Sequence, residues 1–153
     1  MLIHYDYNGK LTFEGEYLIG KRKGKGKEYN EDGELIFEGE YLNGEKNGKG
    51  KEYYTSGQLL FIGEYLKGKQ WNGKLYDPEN MNIYEIKNGK GFLKKYDYWN
   101  GELKFEGEYL NGERNGKGKE YDDDGELLFE GEYLEGKRNG KGKEYLNANS
   151  LWL

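Results

Sequence analysis

The chain predicts an all-β fold, a single-layer, elongated and curved antiparallel sheet of consecutive β-hairpins. Three observations point to it. Nearly the same string starts at Phe13, Phe37, Phe105 and Phe129, and reads FEGEYLNGEKNGKGKEY in the copy beginning at Phe37. The phenylalanines at 13, 37 and 61 lie 24 residues apart, as do those at 105 and 129; a fixed period in this range marks a repeat array. Within each copy apolar residues and glycines alternate with charged ones, the period of a strand. Each copy also carries turn signals, such as Asn43-Gly44 inside it and a run ending in glycine after it.

The elements follow in order. Residues 1–12, containing HYDYNGKLT, match the second half of a unit and form a half unit. Six units succeed it, at 13–36, 37–60, 61–82, 83–104, 105–128 and 129–153, all within one repeat domain over 1–153. Around Phe37, the residues Leu35, Phe37, Gly39 and Tyr41 share one face, and Glu34, Ile36, Glu38 and Glu40 the other. Asn43-Gly44 favours a type I′ turn, whose two central residues both need positive φ. That turn sets Glu38 against Lys49, Glu40 against Asn47, Gly39 against Gly48 and Phe37 against Gly50. Asn47-Gly48 signals a second turn or a bulge, which leaves the register open by one or two residues. One face becomes a Glu/Lys ladder, with Tyr53 on it. On the other face Gly39, Gly48 and Gly50 act as seats, because rings can lie over Cα atoms only where no Cβ blocks them. The runs Asn30 to Gly33, Tyr54 to Gly57 and Asp122 to Gly125 are return turns, each ending in the residue that best enters αL. Two strands per unit give about 13 strands, which at about 4.8 Å each make a sheet roughly 60 Å long, coiled by its native twist.

The middle of the chain departs from the pattern. Unit 61–82 contains Trp71 and the sole proline, Pro78. Unit 83–104 places Tyr84, Ile86, Phe92 and Leu93 where ring seats are expected, and its return turn, Asp97 to Gly101, carries Tyr98 and Trp99. A regular array offers the same surface in every unit, so selective recognition needs residues that break the repeat. Trp and Tyr are the usual anchors of binding hot spots. Trp71, Tyr84, Phe92, Tyr98 and Trp99 are therefore the candidate partner-binding residues, against the competing reading of drifted sequence repacked locally. After the last strand an open edge invites pairing with another chain. Trp152 is expected to fold back over that edge or to meet another subunit.

The run of an aromatic, Glu-Gly-Glu-Tyr, then Asn-Gly with Lys or Glu, then Asn-Gly-Lys-Gly resembles the MORN repeat family. That family's pattern is an aromatic, any residue, Gly, any residue, Trp or Tyr, then NGK, then HGxG. Four of the six units match it, with Asn47, Asn115, Asn139 or Lys23 where the family usually has His, and Tyr for the usual Trp. The resemblance covers most of the chain in one register. It implies the curved single-layer sheet of hairpins. For function it implies mostly a protein-binding scaffold, with membrane association proposed for some members and an antitoxin or immunity grouping for some short bacterial arrays.

Composition bounds the rest. A chain of 153 residues suits one domain. Charged residues make up 35% and apolar residues 34%, a balance near that of a disordered chain, but the aromatic 16% recurs in register and so packs. The net charge is -5 with both signs mixed in every unit, so no field favours nucleic acid. The absence of cysteine removes disulfides and thiolate chemistry and fits a reducing compartment. No apolar leader opens the chain, and no stretch approaches the ~20 apolar residues that span a bilayer; a cytoplasmic location is expected. His4 is the single histidine, and serine occurs only at Ser56 and Ser150, so no nucleophile–base–acid set is expected. His/Cys metal sites are excluded, the run Asp122 to Asp124 lacks EF-hand spacing, and the GKGK strings lack the Walker pattern. No cofactor and no catalysis are expected. The function read from the chain is a non-catalytic scaffold binding a helix or peptide in a curved aromatic groove. One alternative is association with phospholipid through Lys21, Arg22, Lys23, Lys25 and Lys27, opposed by the glutamates beside them. Another is neutralisation of a partner, of the antitoxin or immunity type. Self-association through sheet edges is also expected.

Overall fold

The computed structural model describes residues 1–146. The last residues of unit 129–153, with the expected Trp152 cap, lie outside them. The described residues form thirteen strands and no helix: β1 (Leu2–Tyr5), β2 (Leu11–Leu18), β3 (Lys21–Tyr29), β4 (Leu35–Leu42), β5 (Glu45–Tyr53), β6 (Leu59–Leu66), β7 (Lys69–Tyr76), β8 (Ile83–Ile86), β9 (Gly91–Tyr96), β10 (Leu103–Leu110), β11 (Glu113–Tyr121), β12 (Leu127–Leu134) and β13 (Lys137–Glu144). Neighbours in sequence pair antiparallel, β1 to β8 in one open sheet and β9 to β13 in a second. The all-β hairpin array is as expected. Its continuity is not, because strand pairing breaks between β8 and β9.

The hairpin turns have the expected geometry. Asn43 and Gly44 have φ of 52° and 87°, and Asn111 and Gly112 of 53° and 76°, the signature of type I′. The register differs from the expected one. Gly39 stands opposite Gly50 and Phe37 opposite Glu52, two residues further along β5. The cause is a bulge. Between the pairs Gly39–Gly50 and Tyr41–Lys46, one residue of β4 faces three of β5. Gly48 sits in this bulge at φ 98°, a left-handed conformation that favours glycine. Glu40 holds it, its carboxylate accepting the Lys49 N–H at 3.2 Å; Glu108 does the same for Lys117 at 2.9 Å. Gly48 is thus a bulge glycine, not a ring seat.

The seats are real at Gly39 and Gly50. A Cβ on Gly39 would lie 2.7 Å from the Gly50 Cα and 2.8 Å from the Phe37 ring, and one on Gly50 would lie 2.8 Å from both the Phe37 and Tyr65 rings. Each ring is then closed over from the other side. The Arg22 guanidinium carbon lies 4.1 Å from the Phe13 ring centroid, Lys46 Nζ 4.1 Å from that of Phe37 and the Arg114 guanidinium carbon 4.0 Å from that of Phe105. Arg22 also bonds Glu28 at 2.6 Å. Six residues of straight strand would hold their Cα atoms about 20 Å apart, so β3 bends at its bulge and folds around the ring. A core forms inside one layer: Phe13, Phe61 and Phe105 are fully buried.

The middle unit breaks this logic on both strands. Asn82 lies six residues before the Asn88-Gly89 turn, as Phe37 lies six before Asn43-Gly44; there is no ring to seat. Tyr84 takes the position of Gly39, and Leu93 stands opposite Gly107 as Gly26 does opposite Gly39. Leu93 is fully buried in the cluster of Phe61, Leu75 and Ile86. With bulk where glycines normally let strands touch, β8 and β9 are joined only by the Lys87–Lys90 bridge. The margin of hairpin turns continues regardless: Gly68 donates to the Lys46 carbonyl at 2.8 Å, Gly89 to Trp71 at 2.9 Å, and Gly112 to Gly89 at 2.8 Å.

Candidate functional site

The ring face is closed. Between units each tyrosine packs edge-on against the preceding phenylalanine, as Tyr41 does against Phe13 at 5.5 Å and Tyr133 against Phe105 at 5.3 Å. Its hydroxyl donates to a glutamate on the strand before it: Tyr41 to Glu28 and Tyr133 to Glu120, each at 2.6 Å, and Tyr65 to Glu52. Burial and these carboxylates raise the pKa of Tyr41, Tyr65 and Tyr133. Hydrogen bonds from Arg138, above all, hold the Glu120 carboxyl below its ordinary range. The expected aromatic groove is therefore absent from the regular units: their rings are core, enclosed by the bend of the strands and capped by cations. Arg22, counted among the turn cations, is one of those caps.

The opposite face carries the Glu/Lys ladder. One row runs Glu14, Lys27, Glu38, Lys51, and in the second sheet Lys94, Glu106, Lys119, Glu130, Lys143. A second tyrosine lies here, as expected for Tyr53: its hydroxyl donates to Glu38 at 2.6 Å, and burial with this bond raises its pKa to about 12. Between the charged rows runs a shallow trough floored by glycine backbone. It measures about 820 Å³ over Gly15, Gly26, Gly39, Gly50 and Gly63, and about 550 Å³ over Gly107, Gly118, Gly131 and Gly142.

The candidate residues of the middle units do not form one groove. Trp71 is the extra residue of a one-residue bulge between Asn72 and Gln70 on β7. Its ring packs at the hairpin-turn margin, 2.7 Å from where a Gly89 Cβ would stand. Tyr84 is partly buried against the core. Phe92 is 54% exposed and ends the second trough. Only Tyr98 and Trp99 come together, on the return-turn margin. They are 42% and 52% exposed, with ring centroids 6.5 Å apart and edge-on. Their turn is pinned through its backbone, Thr55 donating from N to the Tyr98 carbonyl at 2.9 Å and from Oγ1 to the Trp99 carbonyl at 3.0 Å. The rings are free of that clamp.

Among the described residues no group of His, Cys, Asp or Glu is placed to hold a metal. A family model for the MORN repeat matches residues 37–59, 105–126 and 129–148, and one for a MORN repeat variant matches residues 22–43. The chain belongs to the MORN repeat family. No curated protein matches it significantly. MORN repeats are associated with protein and membrane interaction, and the family is not known for catalysis. The matches skip 61–104, the stretch where this MORN array breaks its own pattern.

Three structural roles in the array escape a reading of the sequence. The cation over each ring is visible as a recurrent Arg or Lys, yet it reads as turn charge. The bulge glutamates look like any rim glutamate. Lys95 has no repeat to announce it. In unit 61–82 the ring-capping cation is replaced by Gln70, and Lys95 reaches across from β9 to donate to the Gln70 side chain, with its Nζ 5.4 Å from the Tyr109 centroid. Burial in this seam lowers the Lys95 pKa to about 8 despite the nearby Glu52.

Proposed function

We propose that this MORN array is a non-catalytic, cytoplasmic protein-binding scaffold whose partner is anchored by Tyr98 and Trp99. One observation carries the reading: two large rings stand exposed side by side on a turn whose backbone is pinned by Thr55 and by the Asp97 carboxylate. The phenylalanines of the regular units are core, whereas these two rings lie together at the surface, and paired aromatics on a held turn suit a hot spot. Phe92 supplies a separate exposed ring at the second trough. The partner is a protein or peptide. The charge pattern argues against nucleic acid, and the caps on the rings withdraw cations from any lipid-binding set.

The test begins with a partner recovered by pull-down from the source cell. Trp99→Ala should weaken its calorimetric affinity by at least ~2 kcal/mol while leaving the melting temperature nearly unchanged. Tyr133→Ala, at a core position, should instead unfold earlier. If Trp99→Ala binds like the parent and unfolds earlier, the ring is structural and the reading fails. Flotation with anionic vesicles at physiological salt, in place of protein capture, points to the membrane alternative.

A further inference from the structure

We propose that the outer edge of β13 is a docking site for an extended acidic segment carrying tyrosine, with the pattern aromatic–Glu–any residue–Glu–Tyr. This site stands apart from the Tyr98–Trp99 pair and goes beyond the scaffold reading by naming a ligand chemistry.

The argument is that β13 presents half of a contact completed elsewhere in the array. Phe13, Phe37 and Phe105 each pack against two tyrosines, their own and that of the following unit. Phe129 has only Tyr133, at 5.7 Å, among the described residues. Where the second ring would lie there is a recess of about 580 Å³, lined by Phe129, Arg138, Asn139, Gly140, Gly142 and Glu144. The acceptor for a tyrosine hydroxyl is also in place. Glu120 accepts from Tyr133 and has 20% of its side chain exposed; Glu144, its counterpart, pairs with Arg138 at 2.8 Å and is 72% exposed.

Charge fixes the ligand's sign. On β11, Lys117 and Lys119 stand opposite Glu132 and Glu130 of the next strand. Their counterparts on β13, Lys141 and Lys143, have no strand on the outer side among the described residues. The register of β11 against β12 carries over directly: tyrosine opposite Gly140, glutamates opposite Lys141 and Lys143, and an aromatic opposite Glu144. The strand would add by main-chain pairing at an open edge. A second folded copy has no such strand to offer, since β2, β4, β6, β10 and β12 are each paired on both sides. Residues 147–153 contain neither Glu, Asp nor Tyr, so they lack the chemistry.

The probe is a fluorescent synthetic peptide, Leu-Phe-Glu-Gly-Glu-Tyr-Leu, titrated into the full chain and followed by anisotropy. Saturable binding that weakens with salt is expected. Replacing the peptide's tyrosine by alanine should reduce affinity at least tenfold. The double variant Lys141→Glu with Lys143→Glu should do the same, and a peptide with lysines for both glutamates should restore binding to it. Trp99→Ala should leave peptide binding unchanged, which separates this site from the ring pair. The proposal is overturned if the full chain does not bind, if the tyrosine and charge changes have no effect, or if binding appears only after residues 147–153 are removed.

Discussion

At the scale of single residues, a hydrogen in place of a methyl group decides whether a ring can lie on the sheet. A Cβ at Gly107 would stand 2.6 Å from the Lys117 carbonyl oxygen, 2.7 Å from the Gly118 Cα and 2.9 Å from the Phe105 ring. Two of these three neighbours are backbone and cannot turn aside. Gly107→Val should therefore cost about 1–3 kcal/mol, the range for overpacking, against almost nothing for Lys119→Gln on the ladder face; urea unfolding measures both. Equal losses would mean that the two faces are wrongly assigned. The ladder residue Glu106 is a poorer control, because it accepts from Tyr121 at 2.9 Å. Lys95 gives a pH signature. Its folded pKa of about 8 lies below the ordinary 10.5, since burial penalises the charged form. Between these values the unfolded chain keeps a proton that the folded chain has released, so this group's contribution to stability is lowest below pH 8 and rises through the window. The parent should gain stability relative to Lys95→Gln as pH climbs from 8 towards 10, and parallel profiles would show the ammonium to be solvated. The ring seats were legible because Gly and Phe recur in register. Lys95 was not, because its partners Gln70 and Glu52 lie in other units and no local pattern joins them.

At the scale of the element, each regular hairpin is a strand pair bent around one phenylalanine. The bend rests on a bulge, and the bulge combines a glycine such as Gly116 at φ 92° with a glutamate, Glu108, that accepts the amide of the next residue, Lys117. The Asn-Gly turns were legible from two residues alone. The bulge was not, because Asn47-Gly48 is the same dipeptide as Asn43-Gly44, and only pairing with the neighbouring strand tells a turn from a bulge. That ambiguity put the register two residues off. It also hid the cations, since a flat hairpin leaves Arg114 in solvent, whereas a bent one lays it over Phe105. Arg114→Gln should cost on the order of 1 kcal/mol, the worth of a partly desolvated cation on a ring. The unit at Phe61 already tolerates glutamine there, with Lys95 near at hand. Chemical denaturation checks it; an unchanged midpoint would mean that the guanidinium merely rests on the ring.

At the scale of the whole molecule, the seam between β8 and β9 divides the array into unequal halves, eight strands and five. The irregularity of 61–104 was plain in the sequence, but its consequence for connectivity was not, since it depends on Tyr84 and Leu93 occupying the same level of one hairpin. The return-turn margin is fastened across this region by Thr55. Thr55→Val removes the hydroxyl donor to Trp99 and should speed hydrogen exchange in the 97–101 turn without shifting global melting; unchanged exchange would show the clamp to be idle. The hairpin-turn margin is fastened by bonds from Gly89 to Trp71 and from Gly112 to Gly89. Mechanically, the molecule is two leaves sewn along a binding. Each leaf is one continuous ladder of bent strands, and between β8 and β9 the ladder gives way to side-chain packing around Leu93 and to the bonds of the two margins. Cutting those stitches would part the leaves without opening one strand pair inside either, as an unstitched spine leaves its pages whole.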